Sequence, residues 1–92
     1  MKRPDMHNPN RLAVLRAIIE LYDESYGMAP SLREVAERAA MGWTSTSMVH
    51  EYARALVAAG YLLQRENVAR GLIPTDAGRA FLAAAALREG EQ

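Results

Sequence analysis

Two helix-start signals on either side of a glycine constrain this chain more than any other feature. Ser31-Leu32-Arg33-Glu34 has the form of a capping box, in which the Ser31 hydroxyl and the Glu34 carboxylate each accept the other residue's backbone amide hydrogen. The turn Gly27-Met28-Ala29-Pro30 precedes it, so a short helix is expected to start at Ser31. Its apolar positions Leu32, Val35, Ala36 and Ala39 recur at helical spacing and end near Gly42. Thr44-Ser45-Thr46-Ser47 then supplies a second cap, and the helix that follows should stop at Gly60. Two helices joined by a tight link result, the second with a polar, Ser-rich outer face.

The flanking segments complete a small architecture. Asn8 caps and Pro9 opens a first helix, whose apolar residues Leu12, Leu15, Ile18, Ile19, Tyr22 and Tyr26 form one buried stripe. After Gly60, Tyr61 to Arg65 reads as a strand, Glu66 to Gly71 as a loop, and Leu72-Ile73-Pro74 as a return strand closed by Pro74. Thr75 caps a last, Ala-rich helix from Asp76 to about Arg88. The expected fold is mainly α with a small β wing, as one domain over residues 1–92: a mobile arm at 1–8, the paired helices and wing within 9–74, and a C-terminal helix over 75–92.

This order of motifs resembles the winged helix-turn-helix DNA-binding domain of LexA-type repressors. The resemblance rests on Pro30-Ser31-Leu32-Arg33-Glu34-Val35-Ala36, on Gly42-Trp43-Thr44-Ser45-Thr46-Ser47-Met48-Val49-His50, and on Ala59-Gly60-Tyr61-Leu62 ahead of Arg70. The link around Ala39-Ala40-Met41 is slightly longer than the family pattern. Chains of this length bury only about 60–65% of their unfolded surface, and the self-cleaving peptidase half of LexA-type proteins has no room within these residues.

Composition bounds the remaining classes. No apolar run has membrane-spanning length, and Met1-Lys2-Arg3 is followed by Pro, Asp, His and Asn instead of an apolar signal core, so a cytoplasmic protein is expected. With no cysteine, and His7 and His50 far apart, neither a disulfide framework nor a structural metal is expected, and no cofactor is implied. Formal net charge is zero, but its distribution is uneven. Residues 1–19 hold four cations against one acid, residues 20–37 one against five, and residues 38–74 four against two. That pattern fits a basic face with an acidic back, or a scattered solvated surface. Ten of the eleven cations are Arg and seventeen residues are Ala, a bias that suggests a bacterial or phage genome rich in GC.

Candidate contacts follow from the second helix. With Val49 at the centre of its inner face, Ala53, Leu56, Tyr52 and Thr46 share the core side, while Ser47, Glu51 and Arg54 lie opposite, flanked by Met48, Ala55 and His50. Short hydroxyls approach bases or phosphates, Met48 suits a thymine methyl, Glu51 a cytosine amine, and Arg54 a phosphate or guanine. The resemblance implies base contact at Ser45, Ser47, Met48, His50 and Glu51, and matches Arg70 to the family's wing arginine. Arg65 and Arg70 flank the wing loop and suit phosphate or the minor groove. Each also has an ordinary use: Ser45 and Thr46 as caps, Met48 as filler, the charged residues as a solvated face. Trp43 stands where the family has an apolar residue and is read as core.

Ser47 and His50 lie three apart on one helix, a spacing seen in nucleophile and base pairs, yet no acid stands ready to orient the imidazole and no Gly-rich oxyanion loop is present. The chain is therefore read as a non-enzymatic transcriptional regulator, a repressor by the resemblance, whose partner is double-stranded DNA. The alternative is a winged-helix module that docks a protein: Arg54, Arg65, Arg70 and Arg11 on one face would speak for DNA, a contiguous apolar patch around Met48 and Ala55 for a protein partner. A homodimer through the C-terminal helix is one expectation, with Ala77, Phe81, Ala84, Ala85 and Arg88 along one side, and Leu82 and Leu87 pointing away from its centre; the alternative is that Phe81 and Leu82 cap the domain's own core and the rest is a frayed tail.

Overall fold

The computed structural model describes residues 9–39, 46–65 and 71–90. Element order is α1 (Pro9–Glu24), α2 (Leu32–Ala39), α3 (Thr46–Ala58), β1 (Leu62–Gln64), β2 (Leu72–Pro74) and α4 (Asp76–Gly90). The strands pair antiparallel with Leu62 opposite Pro74, Leu63 opposite Ile73 and Gln64 opposite Leu72. Bonds from Thr75 N to Tyr61 O (3.2 Å) and from Arg65 N to Gly71 O (2.9 Å) continue the pairing at both ends. This is a winged helix-turn-helix: three helices, then a two-stranded wing, with α4 laid against α1.

The capping box forms as the sequence reads. Ser31 N donates to Glu34 Oε1 at 2.8 Å, and Glu34 N to Ser31 Oγ at 3.2 Å, so two amides that α2 leaves unpaired are satisfied by side chains. Val35 then fixes α2 to the core, where it is fully buried with Val14, Leu15, Ile18, Val49, Leu56 and Leu62. Burying each such side chain contributes about 1.5–3 kcal/mol before conformational entropy is charged against it.

Both long helices that precede turns end in Schellman motifs. In α3, Tyr61 N donates to Leu56 O and Gly60 N to Val57 O, with Gly60 at φ +87°. In α1, Gly27 N donates to Tyr22 O (2.8 Å) and Tyr26 N to Asp23 O (3.2 Å), which places Tyr26, at φ +56°, in the left-handed position where glycine is usual. Tyr26 is 98% exposed, so the reading of it as part of the buried stripe is overturned: α1 stops at Glu24 and its periodicity does not carry past the cap. Because the ring buries nothing and the backbone is strained, Tyr26→Gly is expected to stabilise the fold by about 0.5–1 kcal/mol. A urea unfolding midpoint that does not rise would show that the turn carries no strain.

Arginines tie the outer layers. Arg38 on α2 makes a forked pair with Glu24 (2.6 Å from each guanidinium nitrogen) and reaches Glu20 at 3.2 Å. Arg79 on α4 forks onto Asp23 at 3.0 and 2.7 Å. These hydrogen bonds hold the Glu24 and Asp23 carboxyls below their ordinary range and raise the two guanidinium groups. All lie in solvent, so their weight is in orientation more than in stability.

Two further readings are corrected. Thr46 is exposed, not core, because it stands in the first turn of α3 beyond the edge of the packed layer, which an angular projection does not register. In α4 the buried pair is Gly78 and Ala85, with Phe81 and Leu82 half-buried beside them, whereas Ala77, Ala84 and Arg88 are exposed. The inward face is thus rotated from the expected one. Leu82 packs against the core instead of pointing away from it.

Candidate nucleic-acid interface

α3 presents two sharply different sides. Val49, Ala53 and Leu56 are buried and seat the helix on α1, so the residues on the far side are held outward by the same packing. Ser47, Met48, His50, Glu51 and Arg54 are all exposed, with Met48 at 39%. Ser47, Glu51 and Arg54 follow one another at helical steps along one ridge, and His50 stands beside them. The ridge begins at the N-terminal end of α3, the end that enters the major groove in helix-turn-helix proteins.

A polar tie steadies this helix. Asn10 Nδ2 in the first turn of α1 donates to the Tyr52 hydroxyl at 3.1 Å, linking α1 to the flank of α3. Tyr52 reads as a core residue from periodicity, and it is half-buried, with its polar tip used for this bond. The contact escapes sequence reading because nothing local connects two residues so far apart in the chain.

On the wing, Arg65 is exposed at the end of β1, where its amide bond to Gly71 closes the neck of the loop. Ser45, Arg70 and Trp43 lie outside the described residues, as do His7, the arm at 1–8 and the link at Ala40-Met41. The apolar surface near Met48 is carried by that residue, since Ala55 is half-buried.

The described arginines differ in what they meet. Arg38 and Arg79 are engaged with acids of α1, whereas Arg54 and Arg65 form no ion pair with an acid among the described residues. Exposed guanidinium groups on the outward face of a helix and at a wing edge suit an extended polyanion. Among the described residues no cluster of His, Asp or Glu is arranged to hold a metal ion, and no helix is long and apolar enough to cross a membrane.

The family model described as LexA DNA binding domain matches residues 10–71, well over half of the chain. The chain belongs to the LexA DNA-binding domain family. The match runs from the first turn of α1 to the wing loop and stops before β2 and α4. No curated protein and no solved structure matches the chain. Membership makes this LexA-type domain a double-stranded DNA-binding unit of transcription regulation, and a binding unit of this kind points to a regulator, not a catalyst.

Proposed function

We propose that this LexA-type domain is a sequence-specific repressor of bacterial or phage type, reading the major groove with α3 and gripping the flanking backbone with the wing. The observation that carries this reading is the exposed ridge of α3 with its cations: Arg38 and Arg79 are spent on carboxylates of α1, while Arg54 on that ridge and Arg65 on the wing stand exposed without an acid partner among the described residues. Ser45, Ser47, Met48, His50 and Glu51 read base edges, and Arg54, Arg65 and Arg70 hold phosphates. Repression follows from the family's character, and a cytoplasmic setting from the need to meet the genome.

Selection of bound fragments from genomic DNA tests the reading and returns the site. On the recovered duplex, Arg54→Ala, Arg65→Ala and Arg70→Ala should each weaken binding and make the log-log salt slope shallower by about one. Binding indifferent to salt would refute the phosphate assignments.

A single reading head spans few base pairs, so this regulator should pair across two half-sites. The outward side of α4 offers Ala77, Ala80, Ala83, Ala84 and Leu87, all exposed, and Leu87 is 70% exposed. Small side chains there let a second copy's helix approach closely. Ala80→Glu with Leu87→Glu in the full chain should turn a dimer into a monomer by sedimentation, leaving its circular dichroism unchanged. A wild-type protein that stays monomeric on its DNA would end the dimer proposal.

A further inference from the structure

The wing itself is slight. Its ladder spans three residues a side, and a two-stranded ribbon of that kind is marginal alone, so its angle to α3 must be set by what grips its root. Leu62 and Leu72 sink one side of it into the core, and the rest of the grip comes from the start of α4. Thr75 Oγ1 donates to Gly60 O at 2.7 Å and accepts from Gly78 N at 3.0 Å, while Thr75 N donates to Tyr61 O at 3.2 Å. One residue therefore holds the turn that ends α3, continues the strand pairing, and caps α4. Phe81 stacks on the Tyr61 ring at 4.4 Å between centroids, and Arg79 in the same first turns of α4 forks onto Asp23 of α1. The turn Gly60-Tyr61 is clamped from one side by a helix that is itself fastened to the body of the domain.

We propose that Thr75 is a positioning residue for DNA binding, setting the wing against α3 from the root of a helix that lies beyond the family-matched span. The proposal rests on the reading of α3 and the wing as the DNA-contacting parts. Thr75 touches no DNA itself. Its hydroxyl joins the turn at the end of the reading helix to the residue that follows the wing's return strand, so removing its hydrogen takes that bond from the Gly60 carbonyl and loosens the turn from which the wing leaves α3.

Three substitutions separate the roles of that hydroxyl. Thr75→Ser keeps both bonds. Thr75→Asp keeps an acceptor for the Gly78 amide, and with it the α4 cap, but has no hydrogen to give Gly60. Thr75→Val keeps the shape and loses both. The probe is a duplex recovered from random-sequence DNA by repeated selection with the wild-type protein. Thr75→Asp and Thr75→Val should bind it about tenfold more weakly with a shallower salt slope, and Thr75→Ser should bind as wild type. Against Thr75→Asp, Arg65→Ala should add little, because the wing contact is already lost, whereas Ser47→Ala should cost what it costs in the wild type. General destabilisation would not produce that asymmetry, and Thr75→Asp remains capped if Thr75→Val does not fold. Wild-type affinity in Thr75→Asp, or an undiminished cost of Arg65→Ala in its presence, overturns the proposal while leaving the DNA reading intact. A wild-type protein that selects no duplex removes both.

Discussion

Gly78→Ala is expected to destabilise the domain by about 3 kcal/mol, although the substitution replaces a poor helix former with the best one. Gly78 stands in the first turn of α4 and is buried. A Cβ added there would run into the backbone carbonyl oxygen of Tyr61, with the Tyr61 carbonyl carbon at 3.0 Å and its Cα at 3.2 Å. The obstacle is main chain, so it cannot rotate away as the end of a side chain could, and Tyr61 is fixed by its bonds to Leu56 and Thr75. Helix propensity alone would favour alanine by about 1 kcal/mol, and the collision outweighs it. For a domain whose whole stability is about 5–14 kcal/mol, the loss is large. Urea unfolding of wild type and Gly78→Ala, compared at equal slope, measures it. An alanine variant as stable as wild type would mean that α4 is not seated on the turn.

What could be read from the sequence and what could not divide along a physical line. The capping box at Ser31 and Glu34, the stop at Gly60 and the strand pair around the wing loop are each fixed by residues close in sequence, and all three form as expected. The ridge of Ser47, Glu51 and Arg54 was likewise legible, because one helical period decides which residues oppose Val49. Tyr26 misled since an aromatic at helical spacing looks like core until the helix is known to end two residues earlier. Gly78 escapes a sequence reading for the opposite reason: a residue without a side chain carries no hydrophobic signal, yet it lies on the inward face of α4 and lets the helix approach the backbone of Tyr61. The ties of Asn10 to Tyr52 and of Arg79 to Asp23 depend on how helices are stacked, and no local pattern encodes them.

Reversing the charge at Arg54 should have the largest effect on DNA binding, a loss of about 100-fold or more for every duplex at low salt. Arg54 is exposed on the ridge of α3 and pairs with no acid among the described residues, so the substitution disturbs no buried contact and the fold should be unchanged within about 0.5 kcal/mol. In Arg54→Glu one phosphate loses its counter-charge, and a carboxylate is set against the same strand, a like-charge juxtaposition that costs several kcal/mol when held close. The deficit should shrink as salt rises, since the screening length falls to about 10 Å at 0.1 M and the repulsion acts through solvent. Arg54→Lys then separates the two contacts open to an arginine here. A phosphate contact survives the exchange with affinity and sequence preference nearly intact, because an ammonium serves as a point charge. A forked contact to guanine does not, and preference at one base position would relax by about 1–3 kcal/mol. Binding of Arg54→Glu at wild-type strength would place the DNA on another face of the domain, and with it the assignments of Ser47, Met48, His50 and Glu51.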